Sequence, residues 1–596
     1  DLPVPSGARQ VGVDEQTDGV LFNSENFQAL SLMQARYREQ VKCIYIDPPY
    51  NTGEDDFPYK DSYQHSSWMS MMLDRAVMAQ MLLASDGLFS VQIGDEEMAH
   101  VRVLFDELFA ERKNSAVVRR GIKNVQAQFT DIDRLSLGHD VVHAYAKRVG
   151  VRLAHLRQAL DNEKPGKWDT FWRGTDRHTM RYELFGTTPE TGQWRWEAGR
   201  ARRAIQAYEH YQRVESATKT LDEWYAENLQ CGVDLDFVRQ SDEGVVQYYV
   251  PPQNFRLVSD NWLDIPASGN ITDFAHEKSL ALLQRVISWS TQPGDYVLDY
   301  FGGSGSTGHA AFAMPLAGAG KRRFILVEMG HYFDTELLPR IKRFTFAPEW
   351  KDGKPKCLAT AEEAERSPRI VKVVRLESYE DALNNLTVRR TETQQLLLDA
   401  ADAQGADGLK EQYLLRYMLN VETRGSQSLL NVQAFTDPKA YKLKVKRPGS
   451  DESREVNVDL LETFNWLIGL TVQHIAAPRM FSAAFERDSE KRLRLKGRLK
   501  QEADGPYWFR TVTGTTPDGR KTLIIWRKLT GEPEQDNLVL DEWFTKQGYS
   551  AKDSEFGLIY VNGGNNLENL KTPDDLWKVR LIEEDFHRLM FEMEGA

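Results

Sequence analysis

Two short clusters carry residue types able to do chemistry. The first is Asp47-Pro48-Pro49-Tyr50, at the end of the apolar run KCIYI. Proline fixes φ and lacks an N–H, so a strand ending this way holds a carboxylate, a carbonyl and an aromatic face stiffly outside the sheet. That set of acceptors suits a flat heterocycle bearing an exocyclic NH₂. The second cluster is Tyr300-Phe301-Gly302-Gly303-Ser304-Gly305, where Gly303, Gly305 and Gly308 fit G-x-G-x-x-G after a strand and before a helix. Glycines there let the backbone approach a nucleoside cofactor, and Glu328, at the end of the next strand, suits ribose hydroxyls. No Gly-Lys-Ser/Thr follows, so the turn is not a Walker A loop. NAD and S-adenosylmethionine both fit such a turn, and Asp47–Tyr50 favours the second because it offers nothing for hydride transfer.

These clusters need a sheet that brings them together. Residues 20–150 alternate strand and helix: VLFN, a helix capped at Ser24, KCIYI, a helix from SSWMS to Gly87, LFSVQIG, EEMAHVRVLFDELF and DVVHAYAK. The pattern resumes in SLALLQRVISWS, DYVLDY, the glycine turn with its helix, and RRFILVE. This is the signature of an open α/β sheet, which binds ligands at the carboxyl ends of its strands. Between the halves, residues 152–213 are basic and rich in Trp (Trp168, Trp172, Trp194, Trp196), a composition that serves either phosphate contact with base stacking or a solvated face over an aromatic core. His139 and His143 alternate with apolar residues and read as structural.

Composition bounds the rest. The chain has 596 residues, 41% hydrophobic and 27% charged, with a net charge of −13; its mean hydropathy is −0.53. It is long enough for several structural units, carries no apolar run of membrane-spanning length, and binds polyanions at most through a local groove. Three scattered cysteines predict neither a disulfide framework nor a zinc site, and suggest a reducing cytoplasm. The opening DLPVPSGARQ has no initiator Met and no basic-then-apolar leader, so no secretion signal is expected and residues upstream are conceivable.

Asp47–Tyr50 ahead of Phe301–Gly305, together with IYIDPPYNTG, Trp68, Arg75, DGLFSVQIGDEE and HEKSLALLQRVI, resembles the β-class amino-methyltransferases of DNA. Among these it looks most like the modification (Mod) subunits of type III restriction systems. The resemblance covers about residues 20–345. It departs at Ser279, where such proteins usually have Pro, and at Gly303 within the cofactor loop. It implies a Rossmann-like α/β methyltransferase fold in four parts: residues 1–150, an inserted target-recognition domain at 151–265, the second catalytic half at 266–345, and a mixed α+β region at 346–596 for dimerisation or partner docking. The implied reaction moves a methyl group from S-adenosylmethionine to adenine N6 in double-stranded DNA, with cytosine N4 as the alternative. An NAD-dependent α/β enzyme is a distant third reading.

The implied catalytic residues are Asp47, Pro48, Pro49 and Tyr50. Asp299, Phe301, Gly302, Gly303, Gly305, Glu328 and Lys278 are assigned to the cofactor, and Arg200, Arg202 and Arg203 to DNA. The transfer itself calls for no metal. A second copy, a helicase-nuclease or another defence subunit is the expected partner. Downstream, YKLKVKR, REVNVDLLETFNWLIGLTVQ and YWFRTVTGTTPDGRKTLIIWRKL read as strands, the last with a hairpin turn at Pro517-Asp518-Gly519.

Overall fold

The computed structural model describes residues 12–591 apart from 52–62, 122–134, 136, 270–275, 315–320, 347–349, 352–353, 356–369, 401–402, 406–407, 447–449, 451, 553–554 and 570–576. Thr52 and Gly53 of the quoted motif, the DLPVPSGARQ opening and Cys357 lie outside the described residues. The chain divides into two compact units, one made of 1–154 with 260–596 and the other of 155–259.

In the larger unit, the apolar runs become strands and the amphipathic runs helices: β1 (Thr17–Asn23), α1 (Asn26–Tyr37), β2 (Val41–Ile46), α2 (His65–Leu82), β3 (Leu83–Ile93), α3 (Asp95–Leu108), β4 (Glu111–Arg119) and β5 (His139–Ala146). After the second unit come β6 (Asn261–Pro266), α4 (Leu280–Ser290), β7 (Tyr296–Asp299), α5 (Ser306–Ala313), β8 (Arg323–Glu328) and β9 (Ile370–Arg375). They form one nine-stranded sheet in the order β6-β4-β5-β3-β2-β7-β8-β1-β9. All neighbours are parallel except β5, which runs antiparallel to β3 and β4. Central strands β2, β7 and β8 are buried almost throughout because helices cover both faces, which is why they read as unbroken apolar runs.

Three local expectations need correcting. The cap of α1 is Glu25, whose carboxylate accepts from the Gln28 N–H, and Ser24 lies one residue outside it. Helix α2 stops at Leu82 instead of Gly87, because Leu83 already pairs with Val41 across the sheet. Within REVNVDLLETFNWLIGLTVQ, Leu460–Leu467 is a helix, α6: Asp459 caps it by accepting from the Glu462 N–H, and buried Leu460, Leu461 and Phe464 line one face.

Helix α6 places Trp466 in the core of the nine-stranded sheet. The indole lies 5.2 Å from Phe22 and carries the Arg36 guanidinium over its face at 4.8 Å. Beyond it, a seven-stranded sheet is built around the hairpin Tyr507–Thr515/Lys521–Arg527, whose turn holds Gly519 at φ 84. Among the described residues no helix is long and apolar enough to cross a membrane.

Residues 155–259 fold around Phe171, Trp194, Ala201, Ala204, Val238 and Val246. A three-stranded antiparallel sheet (Val238–Gln240, Val246–Val250, Lys167–Thr170) accompanies the helix Ala198–His210.

Candidate active site

Because β2, β3, β7 and β8 are parallel, their carboxyl ends share one edge of the sheet, and antiparallel β5 brings its first residues to that edge. Strand β2 is hydrogen-bonded to β7, with Ile44 opposite Leu298, so Asp47–Tyr50 and Tyr300–Gly305 leave adjacent strands.

The Asp47 carboxylate is held from one side. Its Oδ2 lies 2.9 Å from Lys278 Nζ, the two side chains being only 19% and 16% exposed. Its Oδ1 is buried and has no hydrogen-bond partner, an acceptor without a donor. Burial raises the Asp47 pKa above the ordinary carboxylate range, and the Lys278 ammonium opposes that rise. The Lys278 amine also donates to the Tyr50 hydroxyl at 3.3 Å and sits 5.1 Å from the centre of its ring. Tyr50 donates to Asp140 Oδ2 at 3.1 Å, and Gln92 Nε2 donates to the same oxygen at 2.9 Å. Gln92 in turn accepts from the Tyr45 hydroxyl at 2.6 Å. The Pro49 carbonyl accepts from the Trp68 indole N–H at 3.0 Å, which pins the proline turn to α2. Asn51 follows in the left-handed region, φ 60.

The glycine turn is held by two carboxylates. Asp299 Oδ1 accepts from the Phe301 N–H at 3.0 Å, and its Oδ2 from the Thr307 hydroxyl at 2.5 Å. Burial pushes the Asp299 pKa up to about 7 against those two donors. Glu328 accepts from the Gly303 N–H at 2.9 Å and from the Gly330 N–H at 2.7 Å, and burial raises its pKa as well. Gly303 and Gly305 adopt φ 52 and φ 80, the second at the start of α5, where a side chain would be strained. A Cβ on Gly302 would meet the Val327 carbonyl at 3.1 Å. Each carboxylate oxygen has a second lone pair, so Asp299 and Glu328 retain acceptor capacity toward amino and hydroxyl groups of a nucleoside. The residues therefore fit such a cofactor.

Buried Arg340 ties the turn to the segment bearing Lys278. It donates to Ser304 Oγ at 3.0 Å and Ser306 Oγ at 3.1 Å, and pairs with Glu277 at 2.6 Å. Lys278, assigned to the cofactor by sequence, thus faces Asp47 and Tyr50. Arg75 bonds Asn26, which donates to the Tyr300 carbonyl at 3.2 Å. Sequence reasoning missed Asp140, Gln92 and Arg340. Asp140 carried one signal, a carboxylate opening the otherwise apolar strand DVVHAYA. His143 donates to or accepts from Ser115 at 2.8 Å inside the sheet.

Among the arginines expected at DNA, Arg200 is engaged. It forms a bidentate pair with Asp236 at 2.7 and 2.9 Å and stacks on Trp196 at 4.3 Å. Arg203 lies 3.8 Å from Glu197 with its side chain 73% exposed, and Arg202 is exposed. Trp194 and Trp196 pack with Phe171, Trp168 packs on Tyr208 and Tyr249, and Trp172 is 43% exposed. The tryptophans are therefore mainly scaffold.

Residues 41–335 match the family described as DNA methylase. The chain is 25% identical over 403 residues to the "Probable type III restriction-modification enzyme HindVI Mod subunit" of Haemophilus influenzae, covering 56% of this chain and 53% of that protein. It is 25% identical over 370 residues to the type III restriction-modification enzyme StyLTI Mod subunit of Salmonella typhimurium, covering 52% of each. With the type II methyltransferase M.KpnI of Klebsiella pneumoniae it shares 25% over 356 residues, covering 53% of this chain and 82% of that one. The match thus spans about half the length of the two Mod relatives. Both the Asp47–Tyr50 turn and the Phe301–Gly305 turn lie inside residues 41–335, the span that matches the DNA methylase family.

Proposed function

We propose that this chain is a site-specific DNA methyltransferase that methylates N6 of an adenine turned out of double-stranded DNA. The observation that carries the reading is the emergence of Asp47–Tyr50 and the glycine turn from hydrogen-bonded neighbours β2 and β7, so that a base at one and a nucleoside at the other share a cleft. When bound, S-adenosylmethionine would supply an electrophilic methyl on its sulfonium, the methyl C–S bond breaking as N6 attacks and S-adenosylhomocysteine departing as the neutral thioether. Asp299, Phe301, Gly302, Gly303, Gly305 and Glu328 bind its nucleoside part.

The N6 lone pair is delocalised into the ring, so the amine is a poor nucleophile until its N–H bonds are directed elsewhere. Asp47 Oδ1, buried without a donor, accepts one of them, and the Pro48 carbonyl accepts the other. Lys278 favours the ionised form of Asp47 against the effect of burial, and burial makes the carboxylate a better acceptor of the proton shed as the N–C bond forms. Tyr50 stacks on the base, contributing about 1–3 kcal/mol toward extruding it. Asp before Pro-Pro favours adenine over cytosine, where Ser is the usual companion.

Residues 155–259 serve as target-recognition domain, with Arg202 and Arg203 at phosphates. The relatives named as Mod subunits support a place in a cytoplasmic restriction-modification or phage-defence assembly, with a second copy or a helicase-nuclease as partner; co-purification with a large ATPase would support it. The test of the activity is incubation of mixed-sequence duplex DNA with methyl-labelled S-adenosylmethionine, followed by nucleoside analysis. N6-methyladenine is expected, and none with Asp47→Ala, which should keep cofactor affinity. N4-methylcytosine would overturn the base assignment, and label incorporated equally by Asp47→Ala would overturn the mechanism.

A further inference from the structure

At the same sheet edge, outside the groups used above, lies a carboxylate with no ordinary counter-charge. Glu97, in the first turn of α3, is wholly buried, and among the described residues its ion-pair partners are two imidazoles. His65, the first residue of α2, brings Nδ1 to 2.7 Å from Glu97 Oε1. His100, one turn further along α3, brings Nδ1 to 2.8 Å from Oε2. The two rings lie 4.6 Å apart, tilted by 31°. The three ligand atoms all lie within 4.8 Å of one another.

Hydrogen bonding alone leaves this arrangement incomplete. A buried carboxylate needs a paired charge or a metal. The positive end of α3 and the Asn51 amide, which donates to Oε1 at 2.6 Å, offset it only in part. Glu97 Oε2 and His100 Nδ1 are both buried and, despite their 2.8 Å separation, neither makes a hydrogen bond. Two donors sharing one ion at about 2.1 Å each sit no more than about 4.2 Å apart, a little closer than the widest separation here. The side chains of His65 and His100 are 61% and 37% exposed, so their rings can close on an ion and leave its outer face to water. Neutral imidazole and carboxylate are the ligating forms, and two histidines with one carboxylate are a donor set for zinc and its first-row neighbours.

We propose that His65, Glu97 and His100 bind a divalent first-row transition metal, zinc fitting best, which fastens the start of α2 to α3 beside Asn51. The Asn51 contact is the outer hydrogen bond that orients a ligating carboxylate. Asn51 adjoins Tyr50, so the ion would steady the turn that carries the Asp47 site without taking part in methyl transfer. The proposal does not depend on the methyltransferase reading.

The test uses the full chain stripped of metal and titrated with Co²⁺ alone, then with Zn²⁺, in the absence of DNA and cofactor. One equivalent of Co²⁺ should bind, with the visible bands of a four- or five-coordinate ion and no near-ultraviolet thiolate band, and Zn²⁺ should displace it. His65→Ala and His100→Ala, both at partly exposed positions, should each weaken binding by at least about tenfold and the pair should abolish it. Metal should raise the melting temperature of the wild type and not of the double variant. Glu97→Gln should behave like the pair; if it does not fold, the two histidine variants decide. Non-saturating binding, an octahedral aquo-like spectrum, a thiolate band, or affinity unchanged in either histidine variant would overturn the proposal.

Discussion

Replacing Lys278 with Met keeps most of the side-chain volume and removes the charge facing Asp47. At 2.9 Å, two unit charges in an effective dielectric of about 20 attract by about 6 kcal/mol before desolvation is set against it. The net effect on Asp47 is to depress its pKa. In the wild type, burial raises the Asp47 pKa and Lys278 opposes it. In the variant the largest lowering influence is gone while burial and the Asp140 carboxylate still raise the pKa, so ionisation of Asp47 moves to higher pH. Asp47 must be ionised to accept the amine, and the acidic limb of the methylation rate should therefore shift alkaline. Below that limb the variant should run roughly tenfold or more slower, and it should recover as pH rises. Single-turnover transfer of labelled methyl to duplex DNA across a pH series measures this, with calorimetry of the cofactor alongside. A uniform loss at every pH, or an unmoved limb with weakened cofactor binding, would refute the reasoning and return Lys278 to the cofactor.

Gly305→Val should lower cofactor affinity by tenfold or more in the same calorimetry, since a β-branched residue at φ 80 is strained and its Cβ would meet Leu337 at 3.2 Å. Neutralising Arg202 and Arg203 should flatten the log–log salt dependence of DNA binding by about 0.9 per lost phosphate contact. Arg200→Ala should instead lower the melting temperature, because it breaks the Asp236 pair. Asp299→Asn should alter the pH dependence of stability. The buried acid has a folded pKa of about 7, so the wild type is uncharged there at low pH and carries a buried charge as pH rises through that value. The variant should gain in melting temperature relative to wild type between about pH 4 and 7, and a pH-independent difference would count against the raised pKa.

The two turns were legible because each combines a local signature with a strand end. Continuous apolar runs such as KCIYI and RFILVE could only be strands covered on both faces. Partners set by pairing were not legible. Asp140 reaches Tyr50 only because β5 runs antiparallel, and Asp236 neutralises Arg200 from 36 residues away. Strand β4, mixed in polarity, and edge strand β9 lacked a clean alternation. Leu460–Leu467 reads as strand in the sequence because its period of 3.6 hides within a longer apolar stretch. The His65–Glu97–His100 cluster was invisible for the same reason: α2 and α3 are brought together by the strand between them.

The pairing of Val41 with Tyr296 has a kinetic side. On the ribosome, β2 emerges long before β7, so the middle of the sheet stays open until the second half of the domain has been made. Loop closure between them costs entropy that grows only as the logarithm of the intervening length, and a compact 155–259 shortens the effective loop. The apolar flank of β2 is meanwhile exposed to other nascent chains. Interruptions of synthesis before residue 299 should therefore yield aggregation-prone products, and folding should accelerate once β7 has cleared the exit tunnel.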